Sequence, residues 1–299
     1  MIINHLKDLI ENAKKDGPKK LVIACAEDKT VLSAVFYALQ KGLIIPVFSG
    51  NKTKIIDLCR EIDFNVKEFE FLDANSDKKA VRLAVKYIKD EKGQLLMKGL
   101  VSTATLLRGI LHPADGISEK ELLSHFALFE SPYYHKVFGV TDAAMNIAPS
   151  LKEKQIIIQN AVELYHKLNN PNPKVALVCP IEKVNPKIKS TLDAQKLEDM
   201  NKRGKIKGCI VEGPFALDNA ISKEAAIHKG IQSEVAGDAD ILVPHDLDAG
   251  NILYKAINFL GDGKCAAIVL GSQVPVVLTS RADDEETKLL SIALGCVIA

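Results

Sequence analysis

The sequence predicts an α/β protein built as two doubly wound lobes around a cleft. Three observations carry that reading. At 299 residues the chain is about twice a usual domain in length. Short apolar runs alternate with longer segments whose apolar residues recur at helical spacing. The runs lack the polar alternation of half-exposed strands, as happens where helices cover both faces of a parallel sheet.

In chain order, the run LVIACA at 21–26 reads as a buried strand. A helix over 28–41 follows, with Val31, Leu32, Val35, Phe36 and Leu39 on one face and Gly42 as its stop. A strand at 44–48, a helix at 52–62 and a strand at 69–72 repeat the unit. Ser76 is a cap residue opening a helix over 76–89, and strand returns at 96–101. Pro113 and Gly116 punctuate a polar stretch at 112–119, the predicted first crossover. Strands at 126–129 and 136–140, a helix from 151 to about 169 and a strand at 174–179 resume the alternation. Then come a helix near 190–203, strands at 208–212 and 241–243, and a helix over 249–260. Apolar runs at 266–271 and 274–279 precede a terminal helix from about 283 to 294.

Composition excludes several classes. Thirty-nine Lys plus Arg against thirty-eight Asp plus Glu leave +1, so no global field draws nucleic acid or an anionic membrane. Charges interrupt the first seventeen residues, so no signal peptide is expected, and no later span is long and uncharged enough for a membrane helix. A cytoplasmic location is the expectation. Six cysteines, at 25, 59, 179, 209, 265 and 296, form no CxxC pair and mostly lie in apolar runs, which predicts buried reduced thiols. Seven histidines show neither HExxH nor zinc-like spacing to cysteine, so no metal is expected.

In open parallel sheets, ligands bind beyond the carboxyl ends of strands, which directs attention to residues just after apolar runs. The segment PVVLTSRADDEETK at 275–288 runs from a strand into Ser280, Arg281, Asp283 and Asp284. Ser280 with Asp283 resembles a capping box, and the four acids at 283–286 suit a helix dipole. The same hydroxyl, guanidinium and carboxylate at a strand–helix junction also form a natural anion site. MKGLVSTATLLR at 97–108 is built alike, with Ser102 and Thr103 after the strand and Arg108 less than two turns further on, so that both ends can look toward the strand end. Arginine grips phosphate bidentately, which lysine does poorly. Three further loops follow strands, at 179–194, 212–218 and 244–255; in the last two, Gly213-Pro214 and Ala249-Gly250-Asn251 read equally well as turns. Residues 261–266 fit GxGxxA but precede a strand, whereas the dinucleotide fingerprint follows one. No Walker A sequence occurs.

Taken together, MKGLVSTATLLRGIL, TDAAMNIAP, STLDAQKL, RGKIKGCIVEGPFALDNAIS, EVAGDADILVPHDLDAGNILYK and VPVVLTSRADDEETKLLSIAL resemble the phosphate acetyl/butyryl transferase family. The resemblance runs in order from about residue 20 to the C-terminus. It implies a fold similar to the isocitrate and isopropylmalate dehydrogenases, with 1–118 plus 275–299 as the first lobe and 119–274 as the second. It implies reversible transfer of a short acyl group, acyl-CoA plus orthophosphate giving acyl phosphate plus CoA, in a ternary complex. Coenzyme A is then a substrate, no cofactor is permanently bound, and a homo-oligomer is expected. Ser280 matches the position that stabilises the oxyanion, and Arg108 and Arg281 match those that hold the phosphate or the CoA phosphates. Asp283 is the first choice for the base, with Asp284 and Glu286 left open because phosphotransacetylase members carry the acid slightly further on. Ser102, Thr103, Gly213, Pro214, Gly250, Asn251 and Asp284 are the expected binding residues. The MKGL and TSRAD forms are more similar to the butyryl branch, with acetyl, valeryl and branched chains left open. Two other classes remain: an NAD-dependent decarboxylating dehydrogenase on the same architecture, and a CoA or acyl-phosphate sensor without turnover.

Overall fold

The computed structural model describes residues 3–279 and 283–299. In chain order the elements are α1 (Asp8–Ala13), β1 (Lys19–Ala24), α2 (Lys29–Gln40), β2 (Ile44–Gly50), α3 (Lys52–Arg60), β3 (Glu70–Asp73), α4 (Asp77–Lys89), β4 (Leu95–Lys98) and α5 (Thr103–Ile110). They continue with β5 (Ser124–Glu130), β6 (Phe138–Val140), α6 (Leu151–Lys167), β7 (Lys174–Val178), α7 (Lys189–Lys202), β8 (Ile210–Phe215), α8 (Leu217–Ile221), α9 (Lys223–His228), β9 (Ile241–Val243) and α10 (Leu247–Phe259). The chain ends with β10 (Lys264–Leu270), β11 (Val276–Val277) and α11 (Glu285–Ile298).

The helices start where sequence chemistry says they should. Asp28, Asn51, Ser102, Ser150, Ser222, Asp246 and Asp284 each accept a backbone N–H from their own first turn, and Ser150 with Glu153 forms a full capping box. Gly42 follows α2 at φ +72°, the left-handed stop expected of it. Ser76 precedes α4 in extended conformation, but its hydroxyl makes no capping bond, so Asp77 in the first turn is left to favour the dipole.

The chain forms two compact units, one of Lys7–Leu123 with Ala266–Ala299 and one of 3–6 with Ser124–Cys265. In the first, strand order is β3-β2-β1-β4-β11-β10. β1 to β3 step outward in one direction, and α4 then carries the chain back past β1 to β4. Right-handed crossovers therefore set α4 on the opposite face from α2 and α3. α11 packs on α1 and α2, while α4 packs on α5. Chain order reverses between β1 and β4, the place where doubly wound sheets take ligands.

In the second unit the order is β5-β6-β9-β7-β8. β7 and α7 lead out to β8, and α8 and α9 return the chain to β9, which pairs in parallel with both β6 and β7. This unit thus has its own reversal, between β7 and β9. Two pairs depart from the all-parallel expectation: β5 with β6 and β10 with β11 are antiparallel. Their connections, 131–137 and 271–275, are too short for the dozen or more residues a parallel crossover needs.

All six cysteines are free and buried, and burial raises the Cys25, Cys209 and Cys296 thiols to about 12. Among the described residues, no helix is long and apolar enough to cross a membrane.

Candidate active site

At the first unit's reversal, β1 and β4 end side by side. Gly99 N–H donates to the Ala24 carbonyl at 2.8 Å and Leu100 N–H to the Cys25 carbonyl at 2.7 Å, with Cys25 in a left-handed turn at φ 58°. The approach is close enough that a Cβ on Gly99 would lie 2.0 Å from the Cys25 carbonyl oxygen. Lys98, the last residue of β4, is buried, and its ammonium donates to the Gly99 and Val101 carbonyls at 3.2 and 3.3 Å. A lysine removed from water must be compensated by such acceptors. It ties down the loop that leads into α5.

Ser102 caps α5, accepting Thr105 N–H at 3.1 Å and sharing a 2.8 Å hydroxyl contact with Thr105; Thr103 opens the helix. Arg108 lies in the last turn of this short helix, and its Nε donates to the Ala104 carbonyl at 3.1 Å. Arg108 does not join Ser102 at the strand end. It lines a groove of about 280 Å³ with Lys78 and Arg82 from α4, Thr105, His112 and Asp115, over a floor of Val81 and Val85. Just under two helical turns place the cap and Arg108 toward opposite ends of α5, and α4, packed alongside, supplies the other cations. Thr105 meets both, bonded to Ser102 and lining the groove with Arg108.

β11 pairs in parallel with β4, Leu96 opposite Val276 and Met97 opposite Val277. The chain after Val277 therefore leaves beside the chain after Met97, and Thr279 is buried there. The expectations for Ser280 and Arg281 lie outside the described residues. Asp283 is half-buried, and its carbonyl accepts the ammonium of Lys288, a buried lysine on α11. Asp284, not Ser280, is the N-cap of α11, its carboxylate accepting Thr287 N–H at 2.8 Å. The capping-box reading of Ser280 with Asp283 is thereby corrected, because α11 starts only at Glu285.

In the second unit, Gly213 and Pro214 are not a turn but part of β8, the outermost strand, where a proline's missing N–H is tolerated. Gly250 and Asn251 are likewise not a turn but helical, since Asp246 caps α10 earlier than expected. Gly250 is buried against Asp142, where a Cβ would lie 2.3 Å from the carbonyl oxygen, and the Asn251 amide donates to the Ala143 carbonyl at 3.1 Å. Asp142 itself shapes the 142–146 turn, accepting N–H groups of Ala144 and Met145 and the Asn146 amide.

A polar cluster stands at the carboxyl ends of β7 and β9. The Lys154 ammonium donates to Asp193 Oδ2 at 2.8 Å and lies 2.8 Å from His245 Nδ1, and Lys189 reaches the same Asp193 oxygen. Burial raises the Asp193 carboxyl, but the hydrogen bonds from Lys154 and Lys189 outweigh it and hold the group below its usual range. Burial depresses Lys154, against the pull of Asp193. Lys98, Lys288, Lys154 and His245 were not legible as site residues. The available signal was a lysine ending an apolar run or sitting on an apolar helical stripe. Among the described residues, no group of three or more His, Cys, Asp or Glu side chains is arranged to hold a metal.

Residues 78–296 match the model of the phosphate acetyl/butaryl transferase family. The chain belongs to that family. It is 42% identical over 298 residues to the phosphate butyryltransferase of Clostridium acetobutylicum, covering 100% of this chain and 99% of that one. It is 43% identical over 294 residues to the phosphate acetyltransferase of Thermotoga maritima, covering 98% and 99%. Among solved structures, it is similar to a branched-chain phosphotransacylase from Enterococcus faecalis V583, with TM-score 0.84 and 32% identity over 93% of this chain and 98% of that one. A 4-hydroxythreonine-4-phosphate dehydrogenase from Burkholderia phymatum, 12% identical with TM-score 0.57, covers 94% of this chain and 98% of its own, and shares the fold alone. The dehydrogenase-like architecture expected from the sequence is borne out. As a member of the phosphate acetyl/butaryl transferase family, the chain is an acyltransferase.

Proposed function

We propose that this chain reversibly transfers a butyryl group between coenzyme A and orthophosphate. The observation that carries the reading is its full-length likeness, at 42% identity, to a phosphate butyryltransferase. In the direction that makes acyl-CoA, the thiol of CoA, with a pKa near roughly 8.5 by analogy with cysteine, needs a base. Asp283 takes that proton, with Asp284 and Glu286 as the other acids within reach in sequence. The thiolate adds to the acyl carbonyl, the Ser280 hydroxyl donates to the resulting oxyanion, and the C–O bond to phosphate breaks. A preorganised donor of this kind is typically worth a few kcal/mol. Arg281 and Arg108 hold phosphate oxygens, and the cationic groove of Arg108, Lys78 and Arg82 supports an anion there. Ser102, Thr103, Gly213, Pro214, Gly250, Asn251 and Asp284 complete the proposed binding set. Holding two substrates in line needs no covalent intermediate and no resident cofactor.

The test is thiol release from acetyl-, butyryl-, valeryl- and isobutyryl-CoA with and without orthophosphate. Phosphate-dependent release peaking at butyryl is expected. The 43% likeness to an acetyltransferase favours acetyl as the second reading, and a peak there would replace the first. Arg108→Ala and Ser280→Ala should each lower turnover at least roughly tenfold in a folded protein. Wild-type rates in either would remove that residue from the mechanism, and no phosphate-dependent release from any ester would leave only a sensor.

A homo-oligomer belongs to the same reading. α10 buries only Gly250 and leaves Ile252 and Phe259 exposed by 69% and 71%, and Leu260 just after it is 87% exposed. Such an apolar stripe supports an interface between copies of the chain. Light scattering should show a dimer or larger, and Leu260→Asp with Phe259→Asp should shift it toward monomer. A monomeric wild type at assay concentration would remove the proposal.

A further inference from the structure

The second unit's reversal between β7 and β9 carries a hydrogen-bond donor fixed by Lys154. Asp193 is ionised, held so by two lysines, and Lys154 therefore keeps its proton and offers donors only. His245 Nδ1, 2.8 Å away, must be the acceptor. The imidazole is then neutral, with its one proton on Nε2, at the far edge of the ring. Burial and then the Lys154 charge push the ring below its ordinary range; Lys189 acts the same way, while Asp193 and Asp246 oppose. Lys154 and Asp193 are covered, with side chains 4% and 9% exposed, whereas His245 in front of them is 25% exposed. The cavity they share with Cys179, Ser190 and Pro244 is about 10 Å³, room for about one water.

A packing pin would need only one lysine and one aspartate. Here a second lysine neutralises the aspartate further, and a histidine is held with its acceptor consumed and its donor free to face a ligand. Ligands of open α/β sheets bind where chain order reverses. We infer that His245 is a substrate-binding donor, its Nε2–H contacting a phosphate oxygen at the carboxyl ends of β7 and β9, with Lys154 the positioning residue that fixes its tautomer. The inference rests on the transacylase reading. The phosphate comes from orthophosphate or from CoA, and the chemistry of the contact is the same.

The experiment has two arms. In steady state, His245→Ala is expected to raise KM about tenfold for one substrate while leaving kcat nearly unchanged, and His245→Gln, which keeps an N–H donor, to restore most of it. A rise for orthophosphate alone names that substrate, and a rise for acyl-CoA alone names CoA. Unchanged KM for both, or no rescue by glutamine, would overturn the inference. In the second arm, nitrogen-detected NMR of histidine side chains in the full chain should show His245 as the neutral Nε2–H form at pH 7. Orthophosphate or CoA added singly should shift that signal. An Nδ1–H or imidazolium form, or no shift with either ligand, would sink the idea even if the wild type lacks turnover. A wild type without activity but with a ligand-shifted His245 would instead count against the transacylase reading alone.

Discussion

Gly99→Ala is expected to lower kcat/KM by more than tenfold and to cost about 1–3 kcal/mol of stability, the usual range for overpacking. The added methyl would meet the Cys25 carbonyl oxygen at 2.0 Å and the Ala24 carbonyl oxygen at 2.8 Å. Both are backbone atoms, one of the last residue of β1 and one of the residue after it, so no side chain can rotate out of the way. Relief requires β1 and β4 to part at their carboxyl ends, which breaks the bonds Gly99 and Leu100 donate to Ala24 and Cys25. Lys98 would lose the carbonyl geometry that satisfies its ammonium, and the Ser102 cap would shift with the loop. Thermal melting and steady-state kinetics on one preparation check both halves. Wild-type values for both would show that the two strand ends separate without cost.

Asp193→Ala should be the most destabilising single change in the second unit, at about 3–5 kcal/mol, because it leaves the buried Lys154 ammonium uncompensated. With roughly 2–4 °C of melting temperature per kcal/mol for a unit of this size, the loss is easily read. Replacing the pair together, Lys154→Met with Asp193→Leu, should recover most of it, since apolar substitutes of similar volume often match a buried ion pair. The pair also gives a pH signature. Asp193 titrates below its unfolded value of roughly 3.9, so its contribution is complete above that pH and fades as pH falls through the lowered folded value. Acid melts of wild type and Asp193→Ala should therefore converge below about pH 4. Parallel curves down to pH 2 would mean the carboxylate is not held by the lysines.

Elements with local signals were legible in the sequence. The helix after Asp28 announced itself by its apolar face and Gly42, and the strand Ile241–Val243 by a short apolar run between polar flanks. Boundaries failed where the strand's place in the sheet or an earlier cap decided them. β8 runs on through Pro214 because it is outermost, and α10 starts at Leu247 because the Asp246 side chain reaches Ala249. The antiparallel pairs follow from connection length, which the apolar runs alone do not reveal. The site was legible only as hydroxyls, arginines and acids after strands. Lys154 finds Asp193 thirty-nine residues on and His245 ninety-one residues on, distances at which spacing carries no information. Arg108 stood out as an arginine after a hydroxyl-rich strand end, but its groove companions Lys78 and Arg82 come from the preceding helix.

β8 and β3 are the last strands at the far ends of their units' strand orders. An open strand edge is a template for the next molecule, and proteins that work at high concentration must blunt it. β8 does so with Pro214, which has no N–H to offer an incoming chain, and β3 with Glu70 and Asp73, both exposed at its ends. At both outer strands the residues that disfavour edge pairing are thus part of the strand itself.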